Sequence, residues 1–118
     1  MTTTDPPTTG PITTGRPTAS ERITAEVTSW PGVAAGPDRR GKVAFTVGGR
    51  ALGHLHGDTA AHFTFPEAVW AQLHAEGRIT DHPVFPGKQG PAERPIESEA
   101  DVGDVIALLR LNYDRKEG

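Results

Sequence analysis

The sequence predicts an α+β fold: one small domain, a strongly twisted antiparallel meander carrying three helices packed mainly on one face. Three observations carry this. Lys42-Val43-Ala44-Phe45-Thr46-Val47 alternates with period two and runs into Gly48-Gly49, a two-residue hairpin signal. Three apolar stripes at helical spacing flank the strand-rich middle of the chain. The 118 residues reduce to roughly 100 once the N-terminal segment is set aside, enough for one core.

That segment is the first element in order. Of residues 1–18, eight are Thr, four Pro and two Gly. Such a composition buries too little apolar surface to offset its ordering entropy, so residues 1–19 are expected to form a disordered arm and residues 20–116 the domain. Ser20 is placed to cap a first helix whose stripe is Ile23, Val27 and Trp30, ended by Pro31-Gly32. Val33 to Ala35 read as a short strand before a turn at Gly36-Pro37-Asp38.

With Gly48-Gly49 as the turn, regular pairing sets Val47 against Arg50, Phe45 against Leu52 and Val43 against His54. Opposed residues share a face, so His54 and His56 are expected on the side of Phe45 and Leu52. Gly57-Asp58 marks a second turn into Ala60 to Phe65. A two- or four-residue loop there puts Phe63 and Phe65 on the core face and His62 on the other; a three-residue loop with a bulge reverses that parity. Pro66 suits the first turn of a second helix with Val69, Trp70 and Leu73 as its stripe and Gly77 at its C′ position. Arg78 to Pro95 is rich in Pro and Gly and reads as loop, with an edge strand over Glu93 to Ile96. Ser98-Glu99-Ala100-Asp101 resembles a capping box opening a last helix, its stripe Val102, Val105, Ile106, Leu109 and Tyr113, running to Lys116.

Composition removes several function classes. A chain this short is neither a two-domain enzyme, a TIM barrel, nor a nucleotide-binding fold with a separate substrate domain. No apolar run approaches the ~20 residues of a membrane span. The N-terminus has neither the basic nor the apolar region of a secretory signal, which points to the cytoplasm. With no cysteine there is no disulfide, thiolate metal site or cysteine nucleophile. Twelve basic against fifteen acidic residues, scattered rather than gathered on one face, argue against nucleic acid as a partner. An exposed edge strand near Glu93 would permit a homodimer.

The chemistry gathers at Gly53-His54-Leu55-His56-Gly57-Asp58. His-x-His on a strand sends both imidazoles to one face, about 6–7 Å apart at the backbone. That suits two ligands of one metal, an acid–base and its orienting partner, or simply core histidines bonded to backbone. The metal reading fails on spacing. Gly48 and His54-x-His56 begin a cupin-like pattern, but Ala60 and Ala61 stand where its Glu belongs, and its second half is missing. Metal ligands and cofactors are therefore expected to be none. No phosphate-cradling loop and no Gly-x-Ser-x-Gly elbow is present. Asp58 is either a ring-orienting carboxylate or a turn residue; Asp81-His82 lies in a loop, where functional residues collect.

Trp30-Pro31-Gly32-Val33, Gly53-His54-Leu55-His56-Gly57-Asp58, Phe65-Pro66, His82-Pro83 and Ile96 to Val102 together resemble the luciferase-like domain family, which includes the fungal luciferases. Many of its bacterial, particularly actinobacterial, members are short stand-alone domains. The chain departs from the family pattern at Ala51, where an acidic residue is usual, and at Lys88-Gln89-Gly90-Pro91, where a Ser-Gly-Trp segment is. The resemblance implies an oxygenase-type reaction on a planar, electron-rich hydroxypyrone, with neither metal nor flavin. On that implication His54 or His56 takes a proton and the other holds the anion. Asp58, His82, Phe45 and Phe63 contact the small molecule, with His82 at the mouth. The competing class is a non-enzymatic small-ligand or protein-interaction module.

Overall fold

The computed structural model describes residues 17–37 and 42–115. The expected arm falls outside these residues up to position 16, as do the residues of the turn after Pro37 and Lys116. The fold itself begins earlier than residue 20. Thr18, not Ser20, is the N-cap of helix α1 (Ala19–Val27): its hydroxyl accepts from Glu21 N–H while the Glu21 carboxylate accepts from Thr18 N–H. The Ile23, Val27 and Trp30 stripe is buried as expected.

Six strands follow the expected meander and then depart from it. Strands β1 (Val33–Pro37), β2 (Val43–Val47), β3 (Arg50–His56) and β4 (Ala60–Thr64) are joined antiparallel in chain order. Helix α2 (Glu67–Ala75) intervenes before β5 (Thr80–Asp81) and β6 (Pro91–Pro95), and the sheet order is β1-β2-β3-β4-β6-β5. The segment near Glu93 is thus not an edge: β6 lies between β4 and β5. Pro91 and Pro95 are tolerated because β5 pairs only with Ala92 and Glu93. The edge on which a homodimer was expected is therefore covered at Glu93.

The β2–β3 hairpin corrects the regular register. Gly48 and Gly49 both take positive φ, as a type I′ turn requires, and Val47 opposes Arg50. After Thr46↔Ala51 the next pair is Phe45↔Gly53, so Leu52 is an extra residue: a β-bulge. One added residue reverses the parity of everything after it. Ala44, not Val43, faces His54, and His54 and His56 lie on the face opposite Phe45 and Leu55. The next loop has three residues, with His56 paired to Ala60, which restores Phe63 to the core face and leaves His62 on the side of His54.

The helices cover the other face. Helix α3 (Glu99–Asp114) is capped by Ser98, whose hydroxyl accepts from Asp101 N–H. The Asp101 carboxylate reaches one residue further back than a capping box does, to Glu97 N–H. Its buried line is Val102, Val105, Leu108, Leu109 and Asn112. Ile106 and Tyr113 flank this line, and the Tyr113 ring packs on Trp30 at 5.3 Å. Helices α1 and α3 are bound by Arg22–Glu99 at 2.6 Å. Helix α2 starts one residue later than expected, with Pro66 as N-cap, and closes with Arg78 N–H to Leu73 and Gly77 N–H to His74 carbonyls. Phe45, Leu52, Leu55, Ala61, Phe63 and Ala92 meet these helices in one core. The architecture is α+β, an open six-stranded antiparallel sheet with three helices. Among the described residues, no helix is long and apolar enough to cross a membrane.

Candidate functional site

Directly opposed residues form one transverse row across the face away from α1 and α3: Ala44 on β2, His54 on β3, His62 on β4, Glu93 on β6 and Thr80 on β5. Opposed Cα atoms in such a ladder lie about 4.5–5.5 Å apart, close enough for neighbouring rings to bond. They do. His62 Nε2 lies 2.9 Å from Glu93 Oε1, and His62 Nδ1 lies 3.2 Å from His54 Nε2. An ionised carboxylate only accepts, so His62 carries a proton on Nε2. With both rings neutral, His62 Nδ1 accepts from His54 Nε2–H. An added proton lets His62 donate from both nitrogens, to Glu93 and to His54. The row is a carboxylate–imidazole–imidazole chain able to hold one extra proton, and its central ring has only a tenth of its surface exposed.

Beside this chain the sheet divides. Strands β3 and β4 pair at His56↔Ala60, Leu55↔Ala61 and His54↔His62, and no further. Beyond that point β3 follows β2 and β4 follows β6. A cleft of about 290 Å³ opens at the fork, lined by His54 and His62 together with Thr46, Ala51, Gly53, Thr64, His82 and Phe85. The His82 ring packs against His62 at 4.4 Å and 50° tilt, and Phe85 against His82 at 5.3 Å and 48° tilt. Val84 N–H donates to His82 Nδ1, so a neutral His82 has its proton on Nε2. The 82–90 segment bearing this wall is tied down by Asp81, which accepts from Gly87 N–H and pairs with His74. His74 in turn stacks on Trp70, whose Nε1–H donates to the Pro91 carbonyl.

The residues singled out from sequence divide accordingly. His54 and His82 line the cleft, and the structure brings them together through His62. His56 shares their face but is exposed and is not among the cleft-lining residues; its ring lies 5.5 Å from that of His62. Phe45 and Phe63 back the cleft from the core side, both almost fully buried. Asp58 lies elsewhere: its carboxylate accepts from Ser20 N–H at the start of α1, and it is not among the cleft-lining residues. Sequence reasoning missed the parts played by His62, Glu93 and Phe85. The first two are found only by counting the register across three strands, which the bulge and the three-residue loop shift twice. Among the described residues, no three His, Asp or Glu side chains converge in a way that would hold a metal ion.

Comparison with known proteins adds one finding. The family model described as Luciferase domain matches residues 49–112, more than half of the chain. Searches of curated proteins and of solved structures gave no match. The matched span runs from the β2–β3 turn to the last turn of α3 and takes in His54, His62, His82 and Glu93, and on that extent the chain belongs to the Luciferase domain family.

Proposed function

We propose that the cleft binds a small planar molecule bearing an acidic hydroxyl, of the hydroxypyrone type, and takes its proton onto the His54–His62 pair. The observation that carries this reading is the Glu93–His62–His54 chain, whose two histidines line a cleft that His82 and Phe85 also line. A base that works near neutral pH is best made from imidazole. The Glu93 carboxylate accepts from His62 Nε2–H and so leaves His62 Nδ1 facing His54. The His82 imidazole and the Phe85 phenyl, tilted 48° to one another, offer one ring face and one ring edge to an aromatic ligand.

The deprotonated ligand is itself the reductant. It gives one electron to dioxygen, the two radicals combine into a carbon–oxygen bond, and the proton held by the histidines returns to the peroxide formed. Atoms and electrons balance without a further donor: the ligand carbon is oxidised and dioxygen is reduced to the peroxide level. His54 and His62 are the residues assigned to the proton, and His82 and Phe85 those assigned to the ring.

Oxygen uptake with a hydroxypyrone probe tests this, alongside probe binding followed by Trp70 fluorescence. Wild type should bind the probe and consume oxygen in proportion to it. His54→Ala should abolish uptake while the far-ultraviolet circular dichroism stays unchanged. Uptake retained in His54→Ala contradicts the assignment. Binding by wild type with no uptake would make the cleft the site of a non-enzymatic ligand module.

A further inference from the structure

Where β3 and β4 part, one side chain spans the gap from below. Extending the His54↔His62 register would set Gly53 against Phe63 and Leu52 against Thr64. Instead Asn112, on α3, sends its amide Nδ2 to the Leu52 carbonyl at 3.0 Å and to the Thr64 carbonyl at 3.5 Å. These belong to the two residues that would have faced each other had pairing continued. Arg115 Nε donates to Asn112 Oδ1 at 3.2 Å and so fixes which end of the amide points at the strands. Asn112 is 1% exposed, deep in an otherwise apolar helix face. A buried amide is retained in such a place only when its bonds are made.

We infer that Asn112 is a positioning residue for the histidine site: it stands in for the missing strand pairing, holds the cleft open to a set width and pins the bulge that turns His54 toward His62. Asn112 is not itself a cleft-lining residue and acts through Leu52 and Thr64, which both line the cleft. The bulge is what places His54 opposite Ala44 and beside His62. Releasing the Leu52 carbonyl lets the extra residue migrate along β3, and the His54–His62 contact is the first to be lost. The His62–Glu93 contact is built differently. It sits on the β4–β6 ladder, continuous over five residue pairs, and does not depend on the bulge.

This difference supplies the test. Ring N–H protons held in hydrogen bonds exchange slowly and give separate downfield proton resonances, here one between His62 and Glu93 and one between His54 and His62. The groups facing them are Glu93 on β6, His56 on β3 and His82 after β5, all retained in the variants. In Asn112→Leu the His54–His62 proton should vanish while the His62–Glu93 proton persists. Val105→Ala, a core truncation two turns earlier on α3 and away from the bulge, should keep both. If Asn112→Leu does not fold, Asn112→Ser, too short to reach either carbonyl but able to hold water, is read in the same way. Both protons persisting in the Asn112 variant overturns the inference. So does loss of the pair in Val105→Ala as well, or absence of the His54–His62 proton from wild type.

The inference bears on the proposed function only through cleft width, which predicts at least fivefold weaker hydroxypyrone binding by Asn112→Leu. Its resonance test needs no ligand. A wild type that ignores the probe but shows the differential loss therefore refutes the function alone.

Discussion

Gly53→Ala reports on the bulge most sharply. A Cβ built at Gly53 lies 3.0 Å from the His62 carbonyl oxygen, 3.0 Å from Leu109 Cδ2 and 3.0 Å from Phe63 Cδ1. So close an approach is tighter than nearly all Cβ contacts, and each neighbour must give by a few tenths of an ångström. The two side chains can give a little at the cost of core packing, typically about 1–3 kcal/mol. The carbonyl cannot, because it belongs to the β3–β4 ladder that sets the histidine row. Gly53 also has φ +155°, and a positive φ adds about 1 kcal/mol for an L residue. The sum is a loss of about 2–4 kcal/mol, which in a domain of this size lowers Tm by roughly 10–30 °C. Gly103→Ala is the control: on α3, with nothing within 4 Å of its added Cβ, it should stabilise by about 0.5–1 kcal/mol. Urea unfolding and calorimetry of both variants give the numbers. A loss under about 1 kcal/mol at Gly53 would mean the strand is not bulged and packed as described.

Further outcomes follow from the same geometry. Asp58→Ala removes the acceptor for Ser20 N–H, so it should cost about 1 kcal/mol in denaturant titration and leave hydroxypyrone affinity unchanged; weakened affinity would put Asp58 back in the site. Phe85→Ala, at a side chain 46% exposed, should weaken probe binding about two- to tenfold with Tm essentially constant, as loss of one stacking surface predicts. The backbone N–H of Glu97 and then the Arg94 guanidinium hold the Asp101 carboxyl below its usual range. A carboxyl lowered on folding stabilises the fold above its unfolded pKa of about 3.9 and ceases to do so as pH falls through its folded value. The stability gap between wild type and Asp101→Asn should therefore be constant near neutrality and close progressively below pH ~4; a gap that widens on acidification would reverse the assigned direction.

Much of the fold was legible because local rules and tertiary packing agree there. The Val43, Phe45 and Val47 alternation, the Gly48-Gly49 turn, the Ile23, Val27 and Trp30 stripe and the Ser98 cap are local signals, and each is where its chemistry puts it. Parity was not local. Regular pairing after Gly49 sends His54 to the core face, and the bulge at Leu52 sends it to the other. What fixes that bulge is Asn112, sixty residues away in the chain, joined to Leu52 by one buried hydrogen bond. Helical periodicity pointed past Asn112 to Tyr113, since an Asn on an apolar stripe carries no hydrophobic signal. The histidine cluster could be seen as a cluster, but its proton chain could not. His62 meets Glu93 only because β6 inserts between β4 and β5, a topology that the Pro-rich stretch before it conceals. Asp58 illustrates the opposite error: proximity in sequence to a histidine pair says little when the turn carrying it faces a helix start.

The proposed function requires that the cleft at the β3–β4 fork be where the protein meets its small molecule. Two-dimensional NMR of the full chain, titrated with a hydroxypyrone probe, addresses that directly. Saturable shifts are expected at the ring signals of His54, His62 and His82 and at the backbone amide of Thr64, with the amides around Asp58 and Ser20 unmoved. Shifts confined to the α1 end of the molecule, or none at probe concentrations up to millimolar, would contradict it.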